Sequence, residues 1–419
     1  MPFTKDRAGL ALAALLAAAF LWNAFSASAM EQFVHMRGFF ALGAALRWLS
    51  FAGVLLLLPA LMWEERRCEA LCRFVLLPVL LSGICSTGSY FALLSPDLTE
   101  IAAYTLFNGA SVLACLHLIA RARGRLFAPR VNPKSCLRLF LLVVIATAPL
   151  NIFMQVPLLM STPFLLFRRF GGWHIASLVL LVATTLFCNE SLRKKSKAER
   201  YFSLFMLSMC LFVHLSLRFS FVRLHDYQAA HGVVGALPLY VCSFGIALLP
   251  FAILSKNAFF QGALFLVNCP GAIIAFVWPS PGAVTVAHYN VTYFVLSHIL
   301  LFAVTAQLPL LEGTPRRAHF LHLTWIIVLY YLAMVALNTL AVHTGNGYDP
   351  NFSYVAHCPL PLPLQNILPV QLGPFRFSPV YIAILCAVQY ALCIVTWLVY
   401  RLVLRIRKAL ERRKMRFMT

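Results

Sequence analysis

Twelve apolar runs, most of them near the length of a membrane-crossing helix and separated by short basic segments, constrain this chain more than any other feature. They lie at 8–30, 39–63, 74–94, 101–120, 137–160, 172–188, 201–217, 233–254, 259–278, 289–311, 319–341 and 379–400. A helix needs about 20 mostly apolar residues to cross the hydrocarbon core. In lipid its backbone polar groups must be satisfied internally. The expected fold is therefore all-α: a polytopic integral membrane bundle of about twelve transmembrane helices. Composition agrees, with 61% hydrophobic and 11% charged residues, far from soluble domains. Three runs are irregular. Run 172–188 is short, 137–160 contains Pro149 and Pro157, and 101–120 carries Asn108 and His117.

The net charge of +21 raises the question of nucleic acid. The basic residues, however, sit in short clusters between apolar runs, where loop anchors belong. With the N-terminus placed inside, 27 of the 34 Lys and Arg residues fall on the inner side, counting Arg138 with the loop it adjoins. Six fall outside, and Arg47 lies within a run. Cytoplasmic loops carry this excess, so both termini are expected in the cytoplasm. No basic face is interleaved with aromatic residues, which argues against nucleic acid as a partner.

The first run has a competing reading. Lys5 and Arg7 precede an Ala/Leu stretch ending in SASAM, so residues 1–29 resemble a cleavable signal peptide. An uncleaved anchor is preferred; cleavage would leave eleven spans in the same orientation. At the other end, RLVLRIRKALERRKMRF extends the last helix with a basic face suited to anionic lipid headgroups.

The twelve cysteines are scattered, mostly inside apolar runs, which is no disulfide framework. Cys68 and Cys72 share a loop without a second ligand pair, and the histidines 225, 231, 288, 343 and 357 on the outer side have no known ligand spacing. No metal and no cofactor is expected.

No acid lies well inside any run; Glu312 stands at an end. Ion-coupled carriers usually keep an intramembrane carboxylate. His298 is thus one of few ionisable groups expected near mid-membrane, since His117 and His214 sit nearer the ends of their runs. Cys242, between Pro238 and Pro250, lies nine residues from the outer end of its run, as does His298 in its own. At 1.5 Å per residue both would be roughly 13 Å deep. A base beside a thiol can take its proton and return it to a leaving group. Asn268, Gln307 and Asn338 could donate hydrogen bonds to an oxyanion. The plainer alternative is an apolar filler thiol and a histidine bonded to a neighbouring helix. The long outer segment 342–378, with His343, Asn346, Tyr348 and His357, has the composition of an ordered lid, the alternative being an irregular, solvated surface loop.

Several stretches resemble the YwaF-like polytopic membrane proteins: FGGWHIASLVL, RKKSKAER, LPLYVCSFGIALLPFAILSKN, FLVNCPGAIIAFVWP, YFVLSHILLF, and NTLAVHTGNGY with the later LPLQNILPVQLGPF. They occur in that family's order over roughly residues 165–400. The resemblance implies two regions: a five-span N-terminal region at 1–160, and a seven-span module at 161–419 ending in the basic tail. It also implies a bacterial cytoplasmic membrane as the location. An animal branch of the family is a lipid acyltransferase using a membrane cysteine and histidine, which would fall on Cys242 and His298. The implied function is an intramembrane acyltransferase or lipid hydrolase, with Asn268, Asn338, Asn346 and Tyr348 toward the lipid substrate. The alternative is a membrane protein that binds or transports lipid or a small solute without covalent chemistry.

Overall fold

The computed structural model describes residues 6–25, 41–94, 98–121, 132–147, 166–225, 239–277, 289–344, 351–356, 366–373 and 375–416 of the 419. The chain is an all-α membrane bundle. Eight helices among the described residues are long and apolar enough to cross a membrane, and three more are apolar but shorter. Two compact units divide it: Met1–Gln155 with Met209–Gln228, and Val156–Ser208 with Ala229–Thr419.

The first unit contains α1 (Arg7–Phe25), α2 (Ala41–Ala52), α3 (Val54–Trp63), α4 (Arg66–Leu71), a π-helical turn (Cys72–Leu76), α5 (Leu77–Leu94), α6 (Leu98–Arg121) and α7 (Pro133–Thr147). It also holds the second half of α9 (Lys197–His225). The helical hydrogen bonds run from α2 into α3 through Gly53, which keeps right-handed helical dihedrals and whose would-be Cβ overlaps the Leu76 side chain. Phe20, Phe51 and Phe107 form the aromatic centre, with ring centroids 4.6–6.1 Å apart.

A polar cluster ties the helix ends of this unit together. Asp6 accepts from the Gly9 N–H and pairs with His117 Nε2 at 2.7 Å. Arg121, at the end of α6, reaches Asp6, Glu69 and the Ala60 carbonyl. Burial raises the Asp6 pKa, but the Gly9 N–H, His117 and Arg121 outweigh it and hold the carboxyl below its ordinary value. At the far end of α7, the last carbonyls lack intrahelical partners. His214 meets the Ala146 carbonyl and the Trp48 indole donates to Thr147 O at 2.9 Å. His117 and His214 are thereby structural.

The second unit contains α8 (Gly172–Arg193), the first half of α9, α10 (Val241–Ser255), α11 (Ala258–Val277), α12 (Tyr289–Thr305), the short α13 (Pro309–Glu312), α14 (His319–Thr344) and α15 (Pro379–Arg416). A 3₁₀ turn at Phe352–Tyr354 and an antiparallel hairpin, β1 (Val370–Leu372) with β2 (Phe375–Phe377), come from the long segment before α15. Helix α11 is central, touching α10, α12, α14 and α15. One end of this unit is fastened by polar side chains. Arg200 wraps the last carbonyls of α8 at Leu192 and Arg193, and Tyr201 and Lys197 both hold Glu312. Asn189 donates to Gln307 and accepts from Arg407 of α15.

Candidate functional site

Helix α10 starts at Val241, eight residues later than its apolar run begins. Its 15 residues rise only about 22 Å, short of a hydrocarbon core of roughly 30 Å. The helix start must therefore be covered by protein, because non-helical backbone at membrane depth needs partners. Residues 351–356, from the segment before α15, pack there. Ser353 and Tyr330 of α14 both donate to the Leu239 carbonyl at 2.8 Å, and the two hydroxyls also contact each other. The Tyr240 and Tyr354 rings lie 5.7 Å apart above this point. Ser353 and Tyr354 adopt left-handed backbone with φ of 52° and 60°, a conformation held by Asn351, whose side chain accepts from the Ala356 N–H. Ser353, Val355 and Ala356 are buried. Of the segment 342–378, residues 351–356 pack against the start of α10 and Tyr330.

Cys242 is the second residue of α10 and half-buried. The helix leaves its first N–H groups without intrahelical acceptors, and Tyr240 at the cap position contributes no side-chain bond. On the facing helix, a Cβ at Gly271 would sit 3.7 Å from the Cys242 sulfur. One turn further along, the Asn268 amide presses onto Gly245 where no Cβ could fit. Asn268 is buried; its Nδ2 donates to Leu264 O at 3.2 Å, and its Oδ1 has no hydrogen-bond partner among the described residues. Small residues at these two levels let α10 and α11 approach closely, as in other membrane helix pairs.

His298 stands on the other contact face of α11. Its Nδ1 meets the Phe294 carbonyl at 2.7 Å, so Nδ1 carries the hydrogen and Nε2 keeps the lone pair in the neutral ring. Phe294 lies 4.5 Å and Phe276 6.2 Å from the imidazole, centroid to centroid. Phe276 is itself positioned by His174, which is wholly buried. His174 Nε2 donates to Phe276 O at 2.6 Å and its Nδ1 accepts from the Phe170 N–H at 2.8 Å.

The matched depth expected for the pair is not what the structure has. Cys242 is level with Gly271 of α11, and His298 with Phe276, five residues further along. That offset is about 7.5 Å along the helix. The expectation failed because it counted depth from the ends of apolar runs, and α10 begins inside its run. Cys242 has no hydrogen-bond partner among the described residues, although α10 and α12 touch. Cys269, next to Asn268, bonds Thr305 of α12 at 3.2 Å.

The other sequence candidates are distributed differently. Asn338 is buried in α14 and donates to Met334 O at 2.6 Å, eight residues beyond Tyr330 and away from the level of Cys242. Gln307 belongs to the Asn189 network. Asn346, Tyr348, His231, His288 and His357 lie outside the described residues. His343 packs against Gly373 of the hairpin, where no side chain would fit beside its ring. Among the described residues no group of three or more His, Cys, Asp or Glu side chains could hold a metal. Sequence reasoning missed His174, Tyr330 and Ser353. For the first, the buried position of a histidine in an otherwise apolar turn was the available signal; the other two had none.

Comparison with known proteins yields one family: a profile of the TMEM164 family matches residues 169–400. No curated protein and no solved structure matches the chain. The matched region is more than half of the 419 residues, and the chain belongs to the TMEM164 family.

Proposed function

We propose that this TMEM164-family membrane protein is an intramembrane acyltransferase or lipid hydrolase acting on phospholipid acyl chains through Cys242 and His298. The observation that carries the reading is the placement of Cys242 in the uncapped first turn of a helix that begins under a protein cover. There the free N–H groups can donate to an oxyanion formed at the same residue. The thiol sulfur would attack the ester carbonyl carbon while His298 Nε2 takes the thiol proton. As the carbon–oxygen bond breaks, that proton goes to the leaving hydroxyl of the lysolipid. In the second half-reaction the histidine takes the proton of water or an acceptor hydroxyl as its oxygen attacks the thioester carbon; the carbon–sulfur bond breaks and the departing thiolate takes that proton from the histidine. In this reading Asn268, one turn from Cys242 across the helix pair, would contact the acyl substrate, and Asn338, Asn346 and Tyr348 are further candidate substrate contacts.

Cys242 and His298 are offset, and no hydrogen bond joins them. That observation favours a second reading, in which the same helices bind or transport lipid or a small solute without covalent chemistry. One experiment separates the two. Purified protein given a phospholipid with a fluorescent acyl chain becomes labelled through a hydroxylamine-sensitive thioester, and Cys242→Ala abolishes the label. Lipid that co-purifies equally with both proteins, without thioester, sinks the enzymatic reading and supports the second.

The broader arrangement belongs to the same proposal: twelve spans with both termini cytoplasmic, in a bacterial cytoplasmic membrane, a five-span region at 1–160 and a YwaF-like seven-span module at 161–419. On α15, Arg401, Arg405, Lys408 and Arg412 recur at helical spacing and form one basic face. Anionic lipid headgroups at the inner surface are its partner in this reading.

A further inference from the structure

We propose that the corner between α13 and α14 binds one anionic glycerophospholipid, with its phosphate at Arg316, Arg317 and Arg401 and an acyl chain along the exposed face of α14. The site borrows Arg401 from the basic face of α15 but is distinct from the rest of that face. It is also independent of any chemistry at Cys242.

The corner is a fixed piece of backbone, held from three sides. The Trp397 indole of α15 donates to the Pro315 carbonyl at 3.0 Å. A Cβ at Gly262 would stand 3.0 Å from the Pro315 ring, so α11 lies hard against the same residue. Phe259, in the first turn of α11, meets His319 and His322 edge-on, with ring centroids 5.4 and 5.6 Å apart. Arg316 and Arg317 follow Pro315 directly, and their carbonyls accept from the His319 and Phe320 N–H groups as α14 begins.

The guanidinium groups have little to neutralise them. Arg316 and Arg317 are exposed, and neither pairs with a carboxylate among the described residues. Glu312, the acid nearest to them in the chain, is already held by Lys197 and Tyr201. Arg401 lies over the Trp397 ring at 4.7 Å, which brings a third guanidinium to the side chain that anchors Pro315. Phosphate oxygens are the acceptors that such groups suit best.

The apolar half begins one turn further on. Trp325, Leu329 and Leu332 recur at helical spacing after His322, and with Leu321 they are exposed. Helix α14 is long and apolar enough to cross a membrane, so this face meets lipid. Tryptophan near a helix end favours the boundary between headgroups and hydrocarbon. Cations followed by an apolar stripe on one helix match an anionic head followed by an acyl chain. A free phosphate would leave the stripe unused, and a lipid without net charge would leave the guanidinium charge unbalanced.

The test uses the full chain in nanodiscs containing phosphatidylglycerol with a diazirine in one acyl chain, with labelled peptides mapped by mass spectrometry. The expected result is saturable labelling of 321–332. Unlabelled phosphatidylglycerol should displace it about fivefold better than phosphatidylcholine, the preference that roughly one basic group at a membrane surface supplies. Glycerol phosphate in excess should not displace it. Arg316→Gln with Arg317→Gln should abolish the preference. Lys134→Gln with Arg138→Gln, which takes the same charge from α7, should keep it. Competition on the unsubstituted protein decides the matter even where the double variant does not fold. Labelling that rises linearly with lipid, yields equally to both lipids, yields to glycerol phosphate, or loses its preference equally in the α7 variant overturns the proposal.

Discussion

The carboxamide of Asn268 occupies the place where a side chain on Gly245 would stand. Helices α10 and α11 therefore meet at backbone-to-amide distance, one turn from Cys242. Because the neighbour is a buried amide, the contact cannot yield as a flexible side-chain tip would. Gly245→Ala is expected to destabilise the protein by about 1–3 kcal/mol, the usual cost of overpacking. Gly245→Ala combined with Asn268→Ala should recover part of that loss. Thermal melting in detergent across the four proteins of the cycle measures the coupling, and additive effects would show that the contact is not felt.

The Leu239 carbonyl has two donors, so losing either should be mild. Tyr330→Phe or Ser353→Ala alone is expected to cost on the order of 0.5–1.5 kcal/mol. Removing both leaves a buried carbonyl unsatisfied, about 1–3 kcal/mol more. The double variant should also react faster with a maleimide at Cys242, because the cover over the first turn of α10 is loosened. Equal maleimide rates in all four proteins would mean that residues 351–356 do not control access.

His174 satisfies two backbone groups at once, the Phe170 N–H just before α8 and the buried Phe276 carbonyl of α11. Its replacement by Ala orphans the Phe170 N–H and the Phe276 carbonyl, at roughly 1–3 kcal/mol each. His174→Gln, which keeps one donor, should fall between. Hydrogen exchange at residues 168–178 and 270–277 would report the loosening, and unchanged exchange in the Ala variant would contradict the pinning role.

Acid should weaken the first unit through Asp6. Its folded pKa is depressed, so the stabilisation is present above the unfolded value of 3.8 and is lost as pH falls through the lower folded value. Melting curves between pH 6 and pH 2.5 should steepen in their decline below about pH 4, and Asp6→Asn should remove that component. The same decline in both proteins would assign acid sensitivity elsewhere.

The long apolar helices were legible in the sequence because length and hydropathy are local properties. Where α10 begins was not. An apolar residue in an extended stretch contributes the same hydropathy as one in a helix, so the run at 233–254 hid the change of conformation before Val241. Pro238 marked the region without fixing the boundary. Ser353 meets Leu239 across 114 positions, and no periodicity carries that pairing. Gly245 and Gly271 were equally silent, since a glycine among apolar residues does not announce which amide or thiol it admits. His298 was legible as an unusual residue, but its tautomer depends on Phe294 and its level on α11. The close approach of Gly53 to Leu76 and the π-turn at Cys72–Leu76 leave no local mark in the sequence.

Helix α15 is 38 residues long, about 57 Å, nearly twice the hydrocarbon thickness. A rod longer than the layer it pierces can lean, and its lean follows the thickness of that layer. Arg407 binds Glu190 and Asn189 at the end of α8, so the two rods lean together. In a thicker bilayer the pair stands more upright and Arg405, Lys408 and Arg412 are drawn toward the surface; in a thinner one they ride further out. The height of the basic face therefore follows the thickness of the bilayer that the helix crosses.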